Sequence, residues 1–285
     1  MPYSDVKGVK LHYKVAGRGA PLVMIMGLGT DRIGWRFQES YFKKYYQVVT
    51  FDNRGVGKSD KPAGPYTTKM MADDTVGLMD HLGIKKANIM GVSMGGMIAQ
   101  AIALNYPERV LKLVLGCTCA CDDGDLNGPS AQCVSAIEAG KRGNMGSMIS
   151  LTFNKRLYRF VFSLLMNIRR LSFRAEDLAG FKSQAMACAT HNTLAELHFI
   201  KSPTLVIVGT HDRLLKPTSS RVIAGKIPGA KLERLQAGSH GFFIEMKDAF
   251  NAAVLEFLHS AHERVSTRPI YTRHDVKISR LNPVS

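Results

Sequence analysis

The segment from Ile89 to Gly96, with the sequence IMGVSMGG, constrains the fold of this chain more than any other. Apolar residues lead into a G-x-S-x-G pentapeptide, and a helical pattern begins directly after it. We interpret this order as a strand, a sharp turn and a helix, in which glycines flank a strained central residue because larger side chains would clash. The turn holds Ser93 at its tip, beside the N-terminus of a helix, where free N–H groups favour negative charge. A glycine-rich turn before a packed helix is the alternative interpretation.

The composition is typical of a globular protein, because 45% of the 285 residues are hydrophobic and 21% are charged. No stretch reaches about 18 apolar residues, and no signal peptide is recognisable, so we expect a cytoplasmic protein without an integral membrane segment. The five cysteines, with three at alternate positions from Cys117 to Cys121, fit neither a disulfide framework nor a metal site. We therefore expect reduced cysteines and no bound metal.

Apolar strand patterns alternate with helical patterns along much of the chain. We predict strands at Leu11–Val15, Leu22–Met26, Gln47–Phe51, Ala87–Val92, Val110–Leu115, Thr204–Val208 and Lys231–Gln236. The continuously apolar second run indicates a strand that is buried on both faces. The glycine-rich segment 16–21 is typical of a hairpin connection between the first two strands. The repeated alternation predicts a mostly parallel sheet wrapped by helices.

A helix is predicted from Thr67 or Thr68 to Leu82, because apolar residues recur on one face and Gly83 follows the last of them. The same helix carries three aspartates, which we interpret as part of its exposed face: Asp73, Asp74 and Asp80. A last amphipathic helix is predicted at about Asp248–Arg264.

The alternation of strands and helices stops at Gly116, and helical patterns replace it up to about Asn192. We interpret residues 118–191 as an inserted helical lid, with a core formed by residues 1–117 and 192–264 and a basic tail at 265–285. Eight basic and no acidic residues lie between Ala139 and Ala175. These basic residues have two interpretations. They form the solvated face of a basic protein, or they attract anionic substrates or an anionic surface to the lid.

Two of the later strands end in titratable residues. The sequence GTHD at 209–212 follows one of them, and AGSHG at 237–241 follows the next. The carboxyl ends of parallel strands meet at one edge of a sheet, where ligands collect. We therefore expect Asp212, His240 and Ser93 to lie at the same edge.

Four segments, spread over about residues 6–262, together resemble the motifs of α/β-hydrolase fold serine hydrolases. The sequence DNRGVGKS at 52–59 is similar to the family's D-x-R-G-x-G-x-S turn, and residues 91–95 resemble its nucleophile elbow. Residues 209–212 resemble its acid loop, and residues 238–240 its histidine loop. Met26 departs from the pattern, because the family usually has histidine there. The resemblance implies the α/β-hydrolase fold with an inserted lid, and a carboxylesterase-like activity.

The chemistry of a serine nucleophile assigns a role to each of the three residues. The Ser93 hydroxyl needs a base during attack, and the imidazole of His240 titrates close to the operating pH. Asp212 would accept the other ring N–H and fix the tautomer. The backbone N–H groups of Leu28 and Met94 would stabilise the oxyanion.

The loop before the predicted oxyanion donor completes the expected site. Gly27 forms the turn after the second strand, and Gly29 would allow this loop to approach the substrate closely. We therefore expect both glycines to contribute to substrate binding.

Several alternatives remain open. Asp122 or Asp123 is a second candidate for the acid, and His211 is a second candidate for the base. The formal net charge of +15 suggests nucleic-acid binding, but no binding motif accompanies it. The sequence GKS at 57–59 lacks the upstream glycine of a phosphate-binding loop.

We therefore expect a cofactor-free serine hydrolase that cleaves short-chain or aryl acyl esters through an acyl-enzyme intermediate. Its partner would be a small-molecule ester and not a nucleic acid, and its oligomeric state stays open. The same triad also serves enol-lactonases, thioesterases, carbon–carbon bond hydrolases and cofactor-free haloperoxidases. A non-enzymatic ligand receptor of this fold is the other alternative.

Overall fold

The computed structural model describes residues 2–121, 146–170 and 174–260. The strands are β1 (Tyr3–Val6), β2 (Val9–Ala16), β3 (Pro21–Ile25), β4 (Gln47–Phe51), β5 (Ala87–Val92), β6 (Val110–Gly116), β7 (Thr204–Gly209) and β8 (Lys231–Leu235). The α-helices of these ranges are α1 (Arg36–Phe42), α2 (Thr68–His81), α3 (Met94–Asn105), α4 (Gly146–Thr152), α5 (Arg156–Arg170), α6 (Ala175–Ala189), α7 (Pro217–Lys226), α8 (Phe242–Glu245) and α9 (Lys247–His259).

All eight strands form one sheet in the order β1-β2-β4-β3-β5-β6-β7-β8. The strands from β4 to β8 in this order pair in parallel, whereas β1 pairs with β2 and β2 pairs with β4 in antiparallel fashion. The prediction of a mostly parallel sheet with helices around it is therefore confirmed. Strands β5, β6, β7 and β8 lie side by side, so their carboxyl ends share one edge of the sheet.

The predicted hairpin between β2 and β3 is wrong. Strand β4 lies between them, and it pairs antiparallel with β2 and parallel with β3. Strand β3 is apolar on both faces, so it takes an interior place, whereas β2 has exposed residues such as Lys10 and lies nearer the edge. The edge strand β1 was not predicted, because its four residues YSDV give only a short alternation of exposed and buried positions.

The core has two apolar layers, one on each face of the sheet. Val23 and Ile25 of β3 belong to the layer that also contains α2 and α3, whereas Leu22 and Met24 belong to the layer that contains α1 and α9. Successive side chains of a strand point to opposite faces. The expectation that β3 is buried on both faces is therefore confirmed.

The interpretation of three exposed aspartates on α2 is wrong for Asp74. The Asp74 carboxylate is buried and accepts two hydrogen bonds of 2.6 Å from the guanidinium of Arg54. Asp73 is half-buried between Lys69 and Tyr106, and only Asp80 is exposed. The expectation failed because the partner of Asp74 lies outside the helix, in the turn after β4.

The described part of the lid region 118–191 contains helices α4, α5 and α6 and no strand. Helix α5 exposes several large apolar side chains, including Leu157 at 69% and Phe160 at 68%. None of the helices in the described ranges is long and apolar enough to cross a membrane. The tail 265–285, the end of the last predicted helix, and the alternative acids Asp122 and Asp123 lie outside the described residues.

Candidate active site

Ser93 occupies a strained turn between β5 and α3. Its backbone angles are φ 55° and ψ −125°, in a region that residues other than glycine rarely adopt. A side chain at Gly91 would collide with the backbone of Gly95, and one at Gly95 would collide with the carbonyl of Ile25. The two glycines of the G-x-S-x-G motif are therefore required by close backbone packing around the serine.

The backbone of Ser93 is tied to the end of β6. Its N–H donates to the carbonyl of Gly116 at 2.9 Å, and its carbonyl accepts from the Thr118 hydroxyl at 2.8 Å. The side chain is half-buried, and a Cβ atom at Gly27 would lie 3.6 Å from Ser93 Oγ. The serine hydroxyl is therefore held at the carboxyl edge of the sheet, against the loop that follows β3.

His240 and Asp212 form a directly hydrogen-bonded pair at the same edge. The distance between His240 Nδ1 and Asp212 Oδ2 is 2.8 Å, and the two residues are only 6% and 7% exposed. The other carboxylate oxygen accepts the N–H groups of Leu214 and Leu215 at 2.9 and 3.0 Å. A carboxylate only accepts, so Nδ1 carries the proton and Nε2 is free to take one.

The loop of His240 is fastened to the loop of the acid. The N–H of His211 donates to the carbonyl of Gly238 at 2.8 Å, and the N–H of Thr210 donates to the carbonyl of Leu235 at 3.0 Å. The side chain of His211 is exposed, so its backbone and not its ring connects the two loops. Of the two histidines, His240 is the one whose ring is hydrogen-bonded to Asp212.

Cys117 directly follows β6, and its N–H donates to the carbonyl of Ile207 on β7 at 3.0 Å. Burial raises the pKa of the Cys117 thiol well above its usual range, and the nearby Asp212 carboxylate raises it further, whereas a backbone hydrogen bond of Ser93 lowers it. Ser93 and Asp212 are therefore both neighbours of this thiol. The three predicted residues follow strands β5, β7 and β8, so they lie at one edge of the sheet, and their joint catalytic role stays a prediction.

Of the four predicted residues of the oxyanion and substrate loops, Gly27 packs against Ser93 and Met94 directly follows it. Leu28 and Gly29 continue the loop from Gly27, and the N–H of Gly29 donates to Oε1 of Gln184 at 2.9 Å. Met94 is the first residue of α3, so its N–H has no acceptor within the helix. Gln184 was missed by the sequence analysis, because a single glutamine in a helical pattern carries no local signal.

The D-x-R-G turn is hydrogen-bonded to the segment that follows β3. Oδ1 of Asp52 accepts the N–H of Arg32 at 2.8 Å, and its Oδ2 accepts from the N–H of Lys58 and from His12 Nδ1, both at 2.9 Å. The amide of Asn53 donates to the carbonyl of Met26 at 3.1 Å. This turn therefore stabilises the loop after β3 through these hydrogen bonds. Among the described residues, no cluster of three His, Cys, Asp or Glu side chains is arranged to hold a metal ion.

Comparison with known proteins agrees with this geometry. The family model described as alpha/beta hydrolase fold matches residues 20–246. The 3-oxoadipate enol-lactonase 2 of Acinetobacter baylyi is 31% identical over 255 residues, which cover 86% of this chain and 92% of that protein. A putative carbamate hydrolase, RutD of Caulobacter segnis, is 30% identical over 263 residues, which cover 87% and 94% of the two chains.

A solved structure gives the same result. The crystal structure of the enol-lactonase from Burkholderia xenovorans LB400 is similar with a TM-score of 0.79 and 32% sequence identity, and the match covers 91% of this chain and all of that chain. The family motifs, the sheet order and the family model all agree. The chain therefore belongs to the α/β-hydrolase fold family and is a hydrolase of that fold.

Proposed function

We propose that this protein hydrolyses carboxylic esters through an acyl-enzyme intermediate on Ser93. The observation that carries the proposal is the buried hydrogen bond of 2.8 Å between His240 Nδ1 and Asp212 Oδ2, at the sheet edge that also presents the serine turn. This bond leaves His240 Nε2 as the acceptor for the serine proton. A weak nucleophile thereby gains a base that is held in one tautomer.

The reaction proceeds in two halves. Ser93 Oγ attacks the acyl carbon while His240 takes the hydroxyl proton, and the N–H groups of Leu28 and Met94 stabilise the oxyanion. The bond to the alcohol breaks, and His240 returns the proton to the leaving oxygen. Water then attacks the acyl-enzyme with His240 as base, which releases the carboxylic acid and restores the serine.

The contacts between the lid and the residue after His240 favour substrates with apolar acyl or aryl groups. The N–H of Gly241, which follows His240, donates to the carbonyl of Thr152 at 2.8 Å. The ring of Phe153 packs directly against Gly241, so no side chain fits at that glycine. An aromatic lid residue therefore lies beside the proposed base.

An enol lactone is the second candidate substrate. The relative from Acinetobacter baylyi and the structure from Burkholderia xenovorans are both named as enol-lactonases, at 31% and 32% identity. A lactone is a cyclic ester, so its opening uses the same nucleophile, base and oxyanion donors. The carbamate hydrolase name of another relative keeps carbamates within the range of acyl compounds to be tested.

Replacement of the proposed nucleophile tests the assignment. We expect Ser93→Ala to fold normally and to lose hydrolysis by at least about 10³-fold, because residual rates then come only from binding and the oxyanion donors. The wild-type protein and the variant are compared on p-nitrophenyl acetate and butyrate, an aryl ester, a thioester, a carbamate and an enol lactone. Circular dichroism melting controls for folding.

The outcomes of this comparison are distinct. Hydrolysis at the wild-type rate by Ser93→Ala contradicts the proposal. Ligand binding without turnover by the wild-type protein favours the receptor alternative. Preference for the lactone over the open-chain esters selects the second candidate.

A further inference from the structure

Helix α6 of the lid region is fastened to the core by one face. Asp177 lies 3.5 Å from Lys61 Nζ, one turn before Gly180. Gly180 packs against Gly55 so closely that a Cβ atom at Gly180 would collide with the Gly55 carbonyl. Gln184 follows four residues later on the same face. Helix α6 therefore meets the turn after β4 backbone to backbone.

Gln184 joins two core loops through both ends of its side-chain amide. Its Oε1 accepts the N–H of Gly29 at 2.9 Å, and its Nε2 donates to the carbonyl of Arg54 at 2.7 Å. The side chain is 0% exposed, so each broken bond would leave a buried polar group unpaired. Arg54 is itself held by two bonds of 2.6 Å to Asp74 on α2. The anchor of the Gly29 loop thus extends through Gln184 to a helix of the core.

The hydrogen bond to Gly29 restricts the neighbouring oxyanion donor. A peptide unit is planar, so a fixed N–H at Gly29 fixes the peptide plane that joins it to Leu28. Only the two backbone torsions of Leu28 then separate this plane from the peptide that carries the Leu28 N–H. Oxyanion donors must lie about 2.7–3.1 Å from the developing charge, and a shift of about 1 Å can cost roughly 10²-fold in rate.

We infer that Gln184 is a positioning residue that holds the Leu28 N–H in its oxyanion-binding orientation from the lid side. This inference rests on the proposed function of the Ser93 site. It implies that the lid orients one donor of the oxyanion hole, because the Gly29 loop is hydrogen-bonded to α6. Gln184 acts through Gly29 and does not contact the reacting atoms.

The test compares two buried glutamines. Gln184→Met keeps the side-chain volume and removes both hydrogen bonds. Gln100→Met is the matched control, because Gln100 is also 0% exposed, donates to the carbonyl of Cys119 at 3.0 Å, and accepts from the Thr193 hydroxyl at 2.7 Å. Only Gln184 bonds to the oxyanion loop.

The readouts are kcat and KM for p-nitrophenyl butyrate, the inhibition constant of phenylboronic acid, and the thermal midpoint. A boronic acid forms a tetrahedral adduct with the serine, so its affinity reports transition-state stabilisation. We expect Gln184→Met to lower kcat about 10- to 100-fold, to weaken the boronate by a similar factor, and to leave KM within about 2-fold. Gln100→Met should lose a similar amount of thermal stability while its kcat stays within about 2-fold.

Wild-type kcat and boronate affinity in a folded Gln184→Met variant overturn the inference and leave the role of Ser93 intact. Gln184→Asn, whose amide is one methylene too short to bridge both loops, provides the same measurement if the methionine variant does not fold. A fluorophosphonate probe with mass spectrometry tests the nucleophile separately. If it does not label Ser93 in the wild-type protein, the proposed function fails and this inference fails with it.

Discussion

The two oxygens of the Asp212 carboxylate have different partners. Oδ1 accepts the N–H groups of Leu214 and Leu215, and Oδ2 accepts from Nδ1 of His240. The backbone therefore fixes the carboxylate, and the carboxylate fixes the ring. Because each oxygen has its own partners, we can predict the effect of Asp212→Asn, which keeps the shape of the side chain and replaces one acceptor oxygen by a donor.

We expect Asp212→Asn to fold and to lower kcat for p-nitrophenyl butyrate by about 10⁴-fold, because an amide donor facing Nδ1 selects the wrong imidazole tautomer. The KM should change little, since the carboxylate does not contact the substrate in the proposed reaction. Asp248→Asn, at an exposed aspartate of α9, is the control and should keep wild-type kcat. Unchanged kcat in Asp212→Asn would move the acid to another residue, with Asp122 and Asp123 as the first to test.

Residue roles could be predicted where a short motif encodes them. Ser93, Asp212 and His240 each follow a recognisable strand within a short motif that contains glycine, and the structure places them at one sheet edge. Their catalytic roles stay predictions. The partners of Asp74 and Gln184 could not be predicted, because Arg54 lies 20 and 130 positions away from them and only folding brings these residues together.

At the scale of elements, the end of α6 is joined to the start of α2 by His191. Its Nδ1 lies 3.0 Å from the Thr68 hydroxyl, and its Nε2 lies 3.3 Å from the Thr193 hydroxyl. The ring is only 4% exposed, and burial lowers its pKa from 6.5 to about 4. Folding therefore favours the neutral ring.

This pKa shift predicts a loss of stability in acid. The unfolded chain takes up the proton near pH 6.5 and the folded chain near pH 4, so the contribution of His191 is complete above about pH 6.5 and is lost as the pH falls to about 4. A shift of this size corresponds to about 3 kcal/mol. Urea unfolding at pH 7.5, 5.5 and 4.5 measures the free energy of unfolding.

The control for other titrating groups is His191→Gln, which removes the titration while it keeps hydrogen-bonding capacity. We expect the difference in unfolding free energy between the wild-type protein and this variant to shrink as the pH falls through this window. A difference that stays constant from pH 7.5 to 4.5 would contradict the assigned cause.

The elements that could be predicted are those with strong local patterns. Continuous apolar runs predicted β3, β5, β6 and β7 nearly in full, and the glycines that follow these runs indicated where the strands end. The order of strands across the sheet follows from pairing between distant segments. The sequence of segment 16–21 is therefore compatible with a hairpin, although β4 intervenes in the structure.

At the scale of the whole molecule, the formal charge of +15 acts through the positions of the cations. The guanidinium of Arg159 donates to the carbonyls of Phe153 and Asn154 at 2.7 and 3.1 Å, so this arginine holds the start of α5. Arg156 is exposed. Both arginines belong to the eight basic residues counted in the lid, but the structure gives a hydrogen-bonding role only to Arg159.

We expect Arg156→Gln to lower kcat/KM for an anionic ester, such as a p-nitrophenyl hemisuccinate, by about 2- to 5-fold at low ionic strength. The exposed charge attracts anions only weakly, and the effect should shrink in about 0.5 M salt because screening shortens its range. The neutral butyrate ester is the control substrate, and Arg36→Gln, at an exposed cation of α1, is the control variant. An equal change for both esters would assign these lid cations to solvation alone.

The presence of a lid could be predicted, because the alternation of strands and helices stops at Gly116. Its attachment could not, since the contact between Gly55 and Gly180 involves no side chain and leaves no pattern in the sequence. The proposed boundary at residues 118–191 divides the chain by pattern, whereas the contacts of α6 join it to the core.

The backbone contact at Gly180 bears on how such enzymes are re-engineered. A chimaera cut at the predicted lid boundary would transplant every residue up to 191. That cut removes both the Gly55–Gly180 backbone contact and the hydrogen bond from Gly29 to Gln184. A graft that ends before Ala175 would replace the lid residues before α6 and retain the native α6 with its contacts to the core.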